Sequence, residues 1–417
     1  MARKMKDSGI EWIGEVPEGW SIARGKHILT LLQRTVFPTD GVITCFRDGE
    51  VTLRSNRRGD GFTVSLKEIG YQGIEPGDLV VHGMDGFAGS IGISDSRGKS
   101  SPVLVVLDSS QDKKYLMYYL RSMAYNNVFL ALSTGIRVRS CDLKWNKLAD
   151  LLYLVPPIVE QHKLVSFLDE KCSEIDAMLS KNRSSIEEYK KLKQAVITQA
   201  VTKGVRGERE MKDSGVEWIG EIPKEWDILN LVAHTSMLTP MRDRPENLDG
   251  PIPWIRIEDF DGKYISSSKA SLGVSKETVQ SMNLKIYPVG TILCTSSCIM
   301  GKCAIVSREL VSNQRFIGII PDQNTCENFL YYLMLSNSER MNYLATGALQ
   351  ANLSRSSFEH LKVQFPSYQE QKEIADYLDA KCAEIDRLIA KKEQLVKELE
   401  SYKKSLIYEV VTGKREV

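Results

Sequence analysis

Planar side chains that can make two hydrogen bonds at once gather in a few short segments of this sequence. Arginine can bind a guanine edge in this way, and asparagine or glutamine can bind an adenine edge. The candidate base-contacting residues are Arg54, Asn56, Arg57, Arg58, Arg137, Arg139, Arg242, Arg244, Lys302, Gln350, Asn352 and Arg355. Arginine-rich loops are often merely solvated, so these clusters alone do not indicate contact with DNA. Their position in the whole chain decides how they are interpreted.

Residues arranged for catalysis are harder to find. The stretch Gly92–Gly98 has one residue too many between its glycines for a phosphate-binding loop. The five histidines stand in no metalloprotease or nucleophile-elbow context. Pro156–Pro157 lacks the Asn or Asp before it and the aromatic residue after it that would hold a flipped base. His82 and Asp85 are interpreted as a turn or a DNA-facing loop. We therefore predict a chain that catalyses no reaction and binds no cofactor.

Cysteine usage and charge restrict the function further. The eight cysteines form no CxxC pair, so no metal site is predicted and the thiols are expected to be reduced and packed. The formal net charge is only +1, so any contact with DNA must come from local basic loops or from a partner. No apolar run is long enough to cross a membrane and no signal peptide is evident, which predicts a cytoplasmic protein.

The sequence contains an internal duplication, which is clearest in two motifs that each occur twice. MKDSGIEWIGEVPEGW from Met5 returns as MKDSGVEWIGEIPKEW from Met211. Further on, EQHKLVSFLDEKCSEID from Glu160 is answered by EQKEIADYLDAKCAEID from Glu370. The residues between these paired segments have diverged much further. Such asymmetry in a duplication indicates a shared frame that holds two differently tuned surfaces.

Both downstream copies predict long helices, because apolar residues recur at alternating steps of four and three without proline. The predicted seam comprises Leu168, Ile175, Leu179, Ile186, Tyr189, Val196, Leu378, Ile385, Ile389, Val396, Leu399 and Leu406. A run from Leu168 to Ala200 would span roughly 50 Å, more than a small domain needs. Packing of each helix on its own domain alone remains an alternative, but pairing of the two helices fits their length better.

Connectivity predicts how these helices run. The second copy of the first motif, Met211–Trp226, begins shortly after the first helix ends. The second domain therefore starts beside the end of the first helix, and the second helix must run back along it, which predicts an antiparallel pair. Short β-type runs and one buried helix are predicted in each divergent region. The expected fold class is therefore α+β, with two pseudo-symmetric α/β domains joined by two long helices that form an antiparallel coiled coil. The expected boundaries are 1–155 and 207–365 for the domains, and 156–206 and 366–417 for the helices.

The doubled motifs resemble those of specificity subunits of type I restriction–modification enzymes. The resemblance covers essentially the whole chain: DSGIEWIGEVPEGW and DSGVEWIGEIPKEW each precede a variable domain and then a Pro…EQ…LD.K..EID segment. It implies two target-recognition domains that each read one half of a split double-stranded DNA target, with the helices as a ruler. It also implies two methyltransferase subunits and restriction (motor and nuclease) subunits as partners, which would bring the S-adenosylmethionine and ATP chemistry.

The two halves differ near Gly135, where Arg137–Arg139 stands opposite Leu349–Ala351, so an asymmetric target is expected. One alternative is a duplicated coiled-coil scaffold that never touches DNA, which the near-neutral charge favours slightly. A second alternative, a fused enzyme that cuts or methylates by itself, would need motifs that this chain lacks.

Overall fold

The computed structural model describes residues 3–57, 68–131, 143–240, 243–297, 301–345 and 353–417. The chain divides into two compact units. The first unit comprises Met1–Arg183 with Gln394–Val417, and the second comprises Ser184–Glu393. Each unit thus contains one of the divergent regions and a segment of both long helices.

In its described residues the first unit is built from short strands, the helices α1 to α3 and segments of both long helices. Its elements are β1 (Met5–Asp7), β2 (Glu15–Pro17), β3 (Ser21–Arg24), β4 (Leu29–Leu31), β5 (Ile43–Cys45), β6 (Val51–Leu53), β7 (Gln72–Ile74), β8 (Leu79–His82), β9 (Ile91–Ile93), β10 (Gly98–Ser100), β11 (Leu104–Ser109), α1 (Lys113–Tyr125), α2 (Val128–Ala131), α3 (Trp145–Asp150), β12 (Leu152–Val155) and the start of α4 (Ile158–Lys203).

An antiparallel sheet in the order β4-β11-β8-β9 forms the centre of this unit. Helix α1 begins at Asp112, whose carboxylate accepts hydrogen bonds from two backbone N–H groups of the first turn, as a good N-cap does. Tyr115 and Tyr119 of α1 are fully inaccessible, and their hydroxyls donate to the carbonyls of Leu154 and Leu152 in β12. This apolar burial supplies the main stabilisation of the unit.

The second unit repeats this arrangement with additional strands. Its elements are β13 (Met211–Asp213), β14 (Glu221–Pro223), β15 (Asp227–Asn230), β16 (Thr235–Leu238), β17 (Ile252–Ile255), β18 (Tyr264–Ile265), β19 (Gly273–Val274), α5 (Lys276–Ser281), β20 (Ile292–Thr295), β21 (Cys303–Val306), β22 (Val311–Ser312), β23 (Phe316–Pro321), α6 (Glu327–Ser336), α7 (Ser338–Leu344), α8 (Arg355–Glu359), β24 (Lys362–Phe365) and part of α9 (Tyr368–Val411). Its main sheet has the order β16-β23-β20-β21-β18. Helix α6 packs on it with Phe329, Leu330 and Leu333 fully buried.

In the first unit the beginning of α4 packs against the end of α9. The apolar residues of this contact are Leu168, Cys172, Ile175, Leu179, Val396, Leu399, Leu406 and Val410. Lys403 lies 2.6 Å from Asp176, and Arg183 lies 2.6 Å from Glu400. Because the later residue of α4 pairs with the earlier residue of α9, the two segments are antiparallel.

In the second unit the opposite ends of the same two helices are in contact. The end of α4, with Ile197 and Val201, shares a core with Leu378 and the beginning of α9. Lys193 pairs with Asp386 at 2.6 Å, whereas Gln364, which precedes α9, donates to the carbonyl of Val201 at 2.7 Å. These segments are antiparallel as well, and the predicted α+β fold class with its antiparallel coiled coil is confirmed.

Burial along the predicted seam is graded. Leu168, Ile175, Leu179, Ile186, Leu378, Ile385 and Leu406 are buried. Tyr189, Val196, Ile389, Val396 and Leu399 are half-buried.

The repeated Glu-Gln dipeptide ties each long helix to its domain. Glu160 accepts a hydrogen bond from the indole N–H of Trp20 at 3.0 Å and pairs with Arg3 at 2.5 Å. Gln161 donates to the carbonyl of Pro156 at 2.8 Å and accepts from the N–H of Asp112 at 3.0 Å. This dipeptide therefore connects the long helix both to the first copy of the repeated motif, which contains Trp20, and to the start of α1.

The second unit repeats this connection. Glu370 accepts from the indole of Trp226 at 3.0 Å and pairs with Arg209 at 2.6 Å. Gln371 donates to the carbonyl of Pro366 at 3.0 Å and accepts from the N–H of Cys326 at 2.8 Å. The sequence repeat therefore corresponds to a repeated set of hydrogen bonds.

Within the described ranges, no helix is both long enough and apolar enough to span a membrane. No group of three or more potential metal ligands is found in that part of the chain either. The six cysteines described there are buried free thiols: Cys45, Cys172, Cys294, Cys303, Cys326 and Cys382.

Candidate nucleic-acid interface

A cleft of about 620 Å³ opens at one end of the main sheet in the first unit. It lies where β4 ends and β11 begins, next to the start of α3. Its lining includes Gln33, Tyr71, Pro102 and Trp145. A cleft with polar side chains and an aromatic ring at its mouth can contact the edges or faces of bases.

The polar groups of this cleft are held to different degrees. Arg34 makes a two-pronged ion pair with Asp78, which is buried and also accepts the N–H of Glu75. Gln72 donates to the carbonyl of Leu104 at 3.1 Å. Gln33 is exposed, and its side chain makes no hydrogen bond to any described residue. Arg34 is therefore part of the wall, whereas Gln33 is available to a ligand.

The second unit has a cleft of about 460 Å³ at the corresponding place. Its lining comprises Thr239, Pro240, Ser296, Gln314, Phe316, Ile317, Leu353 and Arg355. Arg355 begins α8 and pairs with Glu359 at 2.7 Å, one helical turn further on. Phe316 is buried and stacks on Phe260 with ring centroids 5.3 Å apart.

Matching backbone hydrogen bonds establish that the two clefts are equivalent. In the first unit Gly83 donates to Val103, and Leu143 donates to Gly83, at 2.8 and 2.9 Å. In the second unit Ser296 donates to Arg315, and Leu353 donates to Ser296, at the same distances. The end of β4 corresponds to the end of β16, and the start of α3 to the start of α8. Equivalent backbones therefore carry different side chains.

The predicted arginine cluster of the first unit lies on and beside the β5–β6 hairpin. The guanidinium of Arg54 donates to Thr44 at 3.3 Å, and the amide of Asn56 donates to Thr52 at 2.8 Å. Arg57 covers the ring of Phe46 at 4.2 Å and pairs with the carboxylates of Asp48 and Glu50 at 2.8 and 2.9 Å. These side chains support the hairpin in the unbound protein. Arg58, Arg137 and Arg139 lie outside the described residues.

Residues of two segments predicted in the second unit line the same cleft, and Ser296 lies between them. Thr239–Pro240, Ser296 and Leu353–Arg355 line one cleft, and they are the chain neighbours of the predicted clusters. Arg355 lies in the cleft, whereas Arg244 and Lys302 are exposed further along their segments. Arg242, Gln350 and Asn352 lie outside the described residues.

Sequence reasoning missed Gln33 and the turn Asn313–Arg315. In both places polar residues stand next to an apolar strand, and this change from apolar to polar residues is the sequence feature that could have indicated them. Gln314 and Arg315 are exposed, and neither side chain has a hydrogen-bond partner among the residues described. A single glutamine attracts less attention than an arginine cluster, although its amide can make the same two-pronged contact.

His82 and Asp85, the most catalytic-looking pair in the sequence, form a turn. The Nδ1 atom of His82 accepts hydrogen bonds from the N–H groups of Met84 and Asp85 at 3.2 and 3.0 Å. Burial lowers the pKa of His82, which favours the neutral ring that this acceptor role requires. Asp85 is in turn paired with Arg47 at 3.0 Å. The geometry is that of a structural turn.

Comparison with known proteins shows what the chain is similar to. Residues 227–399 match the model of the type I restriction modification DNA specificity domain. The putative type I restriction enzyme MjaX specificity subunit of Methanocaldococcus jannaschii is 24% identical over 424 residues, which cover 96% of this chain and 95% of that subunit. Over nearly its whole length the chain is therefore similar to a type I specificity subunit.

Another relative is more similar over a shorter stretch. The type I restriction enzyme MjaIX specificity subunit of the same organism is 34% identical over 181 residues. That match covers 42% of this chain and 41% of the relative, less than half of its length. Both relatives are named as specificity subunits, which are non-catalytic, and this agrees with the prediction made from the sequence.

Solved structures have the same fold. A chain from a study of complex assembly and conformational transition of the type I R-M system superposes with a TM-score of 0.74 at 12% identity, covering 96% of this chain and 99% of that one. The HsdS subunit from Thermoanaerobacter tengcongensis superposes with a TM-score of 0.52 at 13% identity, covering 96% and 98%. At such identities the likeness establishes the fold of this chain and not its contacts.

Proposed function

We propose that this specificity subunit reads a bipartite, asymmetric double-stranded DNA target and directs methyltransferase and restriction subunits to it. One observation carries the proposal: two equivalent clefts, on equivalent backbones, carry different polar side chains. Two sites of the same design with different chemistry are what a reader of two different half-sites requires. A symmetric target would call for matching side chains instead.

Local charge supports contact with DNA despite the near-neutral chain. The exposed cations Arg244, Lys302 and Arg315 belong to segments at or next to the cleft of the second unit. Cations of this kind neutralise phosphates and position a protein on the duplex, whereas planar side chains read the bases. The twelve residues named from the sequence remain our candidates for these contacts, and Gln33 and Gln314 join them.

The paired helices suit the role of a spacer and a docking platform. We propose that residues 1–155 and 207–365 are the target-recognition domains, and that residues 156–206 and 366–417 are the helices that separate them. Two methyltransferase subunits would bind to the helices and the conserved frame, and restriction subunits would join them. The complex would act in the cytoplasm, where it meets DNA.

A scaffold that never touches DNA is not favoured. The relatives of this chain are named as specificity subunits of restriction enzymes, a role that concerns target choice. The near-neutral charge that favoured a scaffold applies to the whole chain and says nothing of one face of a domain. The twofold design of the clefts has no purpose in a pure scaffold.

Removal of the chain from its host gives the direct test. Sequencing of methylated bases should reveal a split motif with two unlike halves that disappears when the chain is deleted and returns when it is restored. The purified chain without partners should transfer no methyl groups. A motif that survives the deletion, or methyl transfer by the chain alone, would refute the proposal.

A further inference from the structure

The turn between β22 and β23 holds a glutamine in a position suited to reading a base. Gln314 lines the cleft of the second unit and is exposed. Its amide has no partner among the described side chains or backbone groups. An exposed polar side chain is ordinary by itself, so the case depends on how the turn is built and on what replaces it in the other half.

The backbone of the turn is fixed on both sides. Ser296 donates to the carbonyl of Arg315 at 2.8 Å, and the side chain of Asn313 accepts the N–H of Arg315 at 3.0 Å. Strand β22 pairs in parallel with β17 before the turn, and β23 enters the centre of the main sheet after it. The backbone that carries Gln314 is therefore held in place before binding, which lowers the entropic cost of a specific contact.

The first unit supplies a natural contrast at the same place. Gly83 donates to Val103 as Ser296 donates to Arg315, so Pro102 occupies the position of Gln314. Proline and valine have no side-chain donor or acceptor. The duplicated backbone therefore carries a hydrogen-bonding side chain in one unit and an apolar ring in the other.

We infer that Gln314 is a specificity-determining residue that recognises an adenine edge in the half-target read by the second unit. This inference rests on the proposed function. The amide oxygen of glutamine accepts from adenine N6 while its NH₂ group donates to N7, a pairing that no other base presents. Pro102, at the equivalent position of the first unit, has no amide that could make this pairing. The contact of Gln314 is therefore one source of the difference between the two half-sites.

The test replaces Gln314 by alanine in the full chain, assembled with its methyltransferase subunits. The probe is a set of duplexes that carry the host methylation motif with each base pair changed in turn. Discrimination at one A·T pair of one half-target should fall about tenfold or more, whereas every other position and the salt dependence of binding should stay as in the parent.

Gln323→Ala is the matched control. Gln323 is also exposed but follows β23 at its other end, about 20 Å away along the strand. Its replacement should leave all discrimination unchanged. If the control loses the same discrimination, the effect is not local to the cleft and the inference fails.

Two results separate this inference from the proposed function. If the parent complex prefers its motif but Gln314→Ala discriminates as well as the parent, or weakens all sequences equally, Gln314 is not a base reader. If the parent complex shows no preference for any duplex, DNA reading itself is refuted. Thermal melting of each variant verifies that the chain remains folded.

Discussion

At the scale of single residues, the repeated glutamates show how a frame can be preserved while the surfaces diverge. Each carboxylate satisfies an indole N–H and an arginine, and each following glutamine satisfies a proline carbonyl and a backbone N–H. The two environments differ in depth: the side chain of Glu370 is 2% exposed, whereas that of Glu160 is 24% exposed. Electrostatic interactions strengthen as water is removed, so the two connections should differ in energy.

Glu370→Gln should destabilise the second unit by about 3 kcal/mol, because it leaves the cation of Arg209 beside a neutral group in a largely dry site. The amide can still accept the indole hydrogen bond of Trp226. Glu160→Gln is the matched change in a wetter site and should cost only about 1 kcal/mol. Urea unfolding followed by tryptophan fluorescence measures both. Equal losses would show that the depth of burial does not set the strength of this connection.

The sequence pointed to arginine clusters but could not show what holds each guanidinium. Asp48 and Glu50 are near neighbours of Arg57 in the chain, yet only the hairpin fold brings their carboxylates to it. Gln314 was missed for a related reason. Its cleft is formed by four segments far apart in sequence, and no local pattern records which of them meet.

At the scale of elements, the long helices are the part that the sequence predicted best. A heptad pattern is local, and the structure has a long helix at each place where the pattern occurs, α4 (Ile158–Lys203) and α9 (Tyr368–Val411). Each is followed by a glycine in the left-handed conformation, Gly204 with φ +75° and Gly413 with φ +71°. Other residues rarely adopt this conformation, which makes these glycines effective helix stops.

Sheet order was much less accessible from the sequence. The strands β17 and β22, and likewise β18 and β21, pair in parallel although long stretches of chain separate them. Such pairing depends on which apolar faces meet in the folded unit. Alternation of apolar residues indicates that a strand exists and says little about its neighbour.

Ile175→Asp tests the helix pairing. Ile175 is 5% exposed in the contact between the two long helices, so a carboxylate there must stay charged in an apolar layer or take up a proton. We expect a loss of several kcal/mol and failure to assemble with methyltransferase subunits. Ile385→Asp, at 6% exposure in the second unit, should behave alike.

Met178→Asp provides the comparison on the same helix. Met178 is 52% exposed, so the new carboxylate remains in water and the thermal midpoint should change little. Melting curves and size-exclusion chromatography with the partner subunits measure both properties. If Ile175→Asp melts and assembles like Met178→Asp, the seam does not hold the helices together.

At the scale of the whole molecule, the alternation of frame and divergent regions explains how new specificity can arise without loss of assembly. The indole–carboxylate connections between the frame and the helices, Trp20 with Glu160 and Trp226 with Glu370, lie outside the divergent regions. The divergent regions begin and end on paired strands: Ile22 lies opposite Leu154, and Ile228 lies opposite Gln364. Each region can therefore be exchanged together with both strands of its own closing pair.

This layout predicts the outcome of a domain exchange. If residues 22–155 are replaced by the same region of a relative with a different target, β3 and β12 move together and keep their register. Trp20 and Glu160 stay with the host chain, so the frame and its docking surfaces are unchanged. The methylation motif of cells that carry the hybrid should change in one half and keep the other half intact. The reciprocal exchange of residues 228–365 should change the other half alone, which serves as the control. If either hybrid methylates a motif altered in both halves, the two units do not read independently, and the model of two separate readers on one frame is wrong even for a protein that binds DNA.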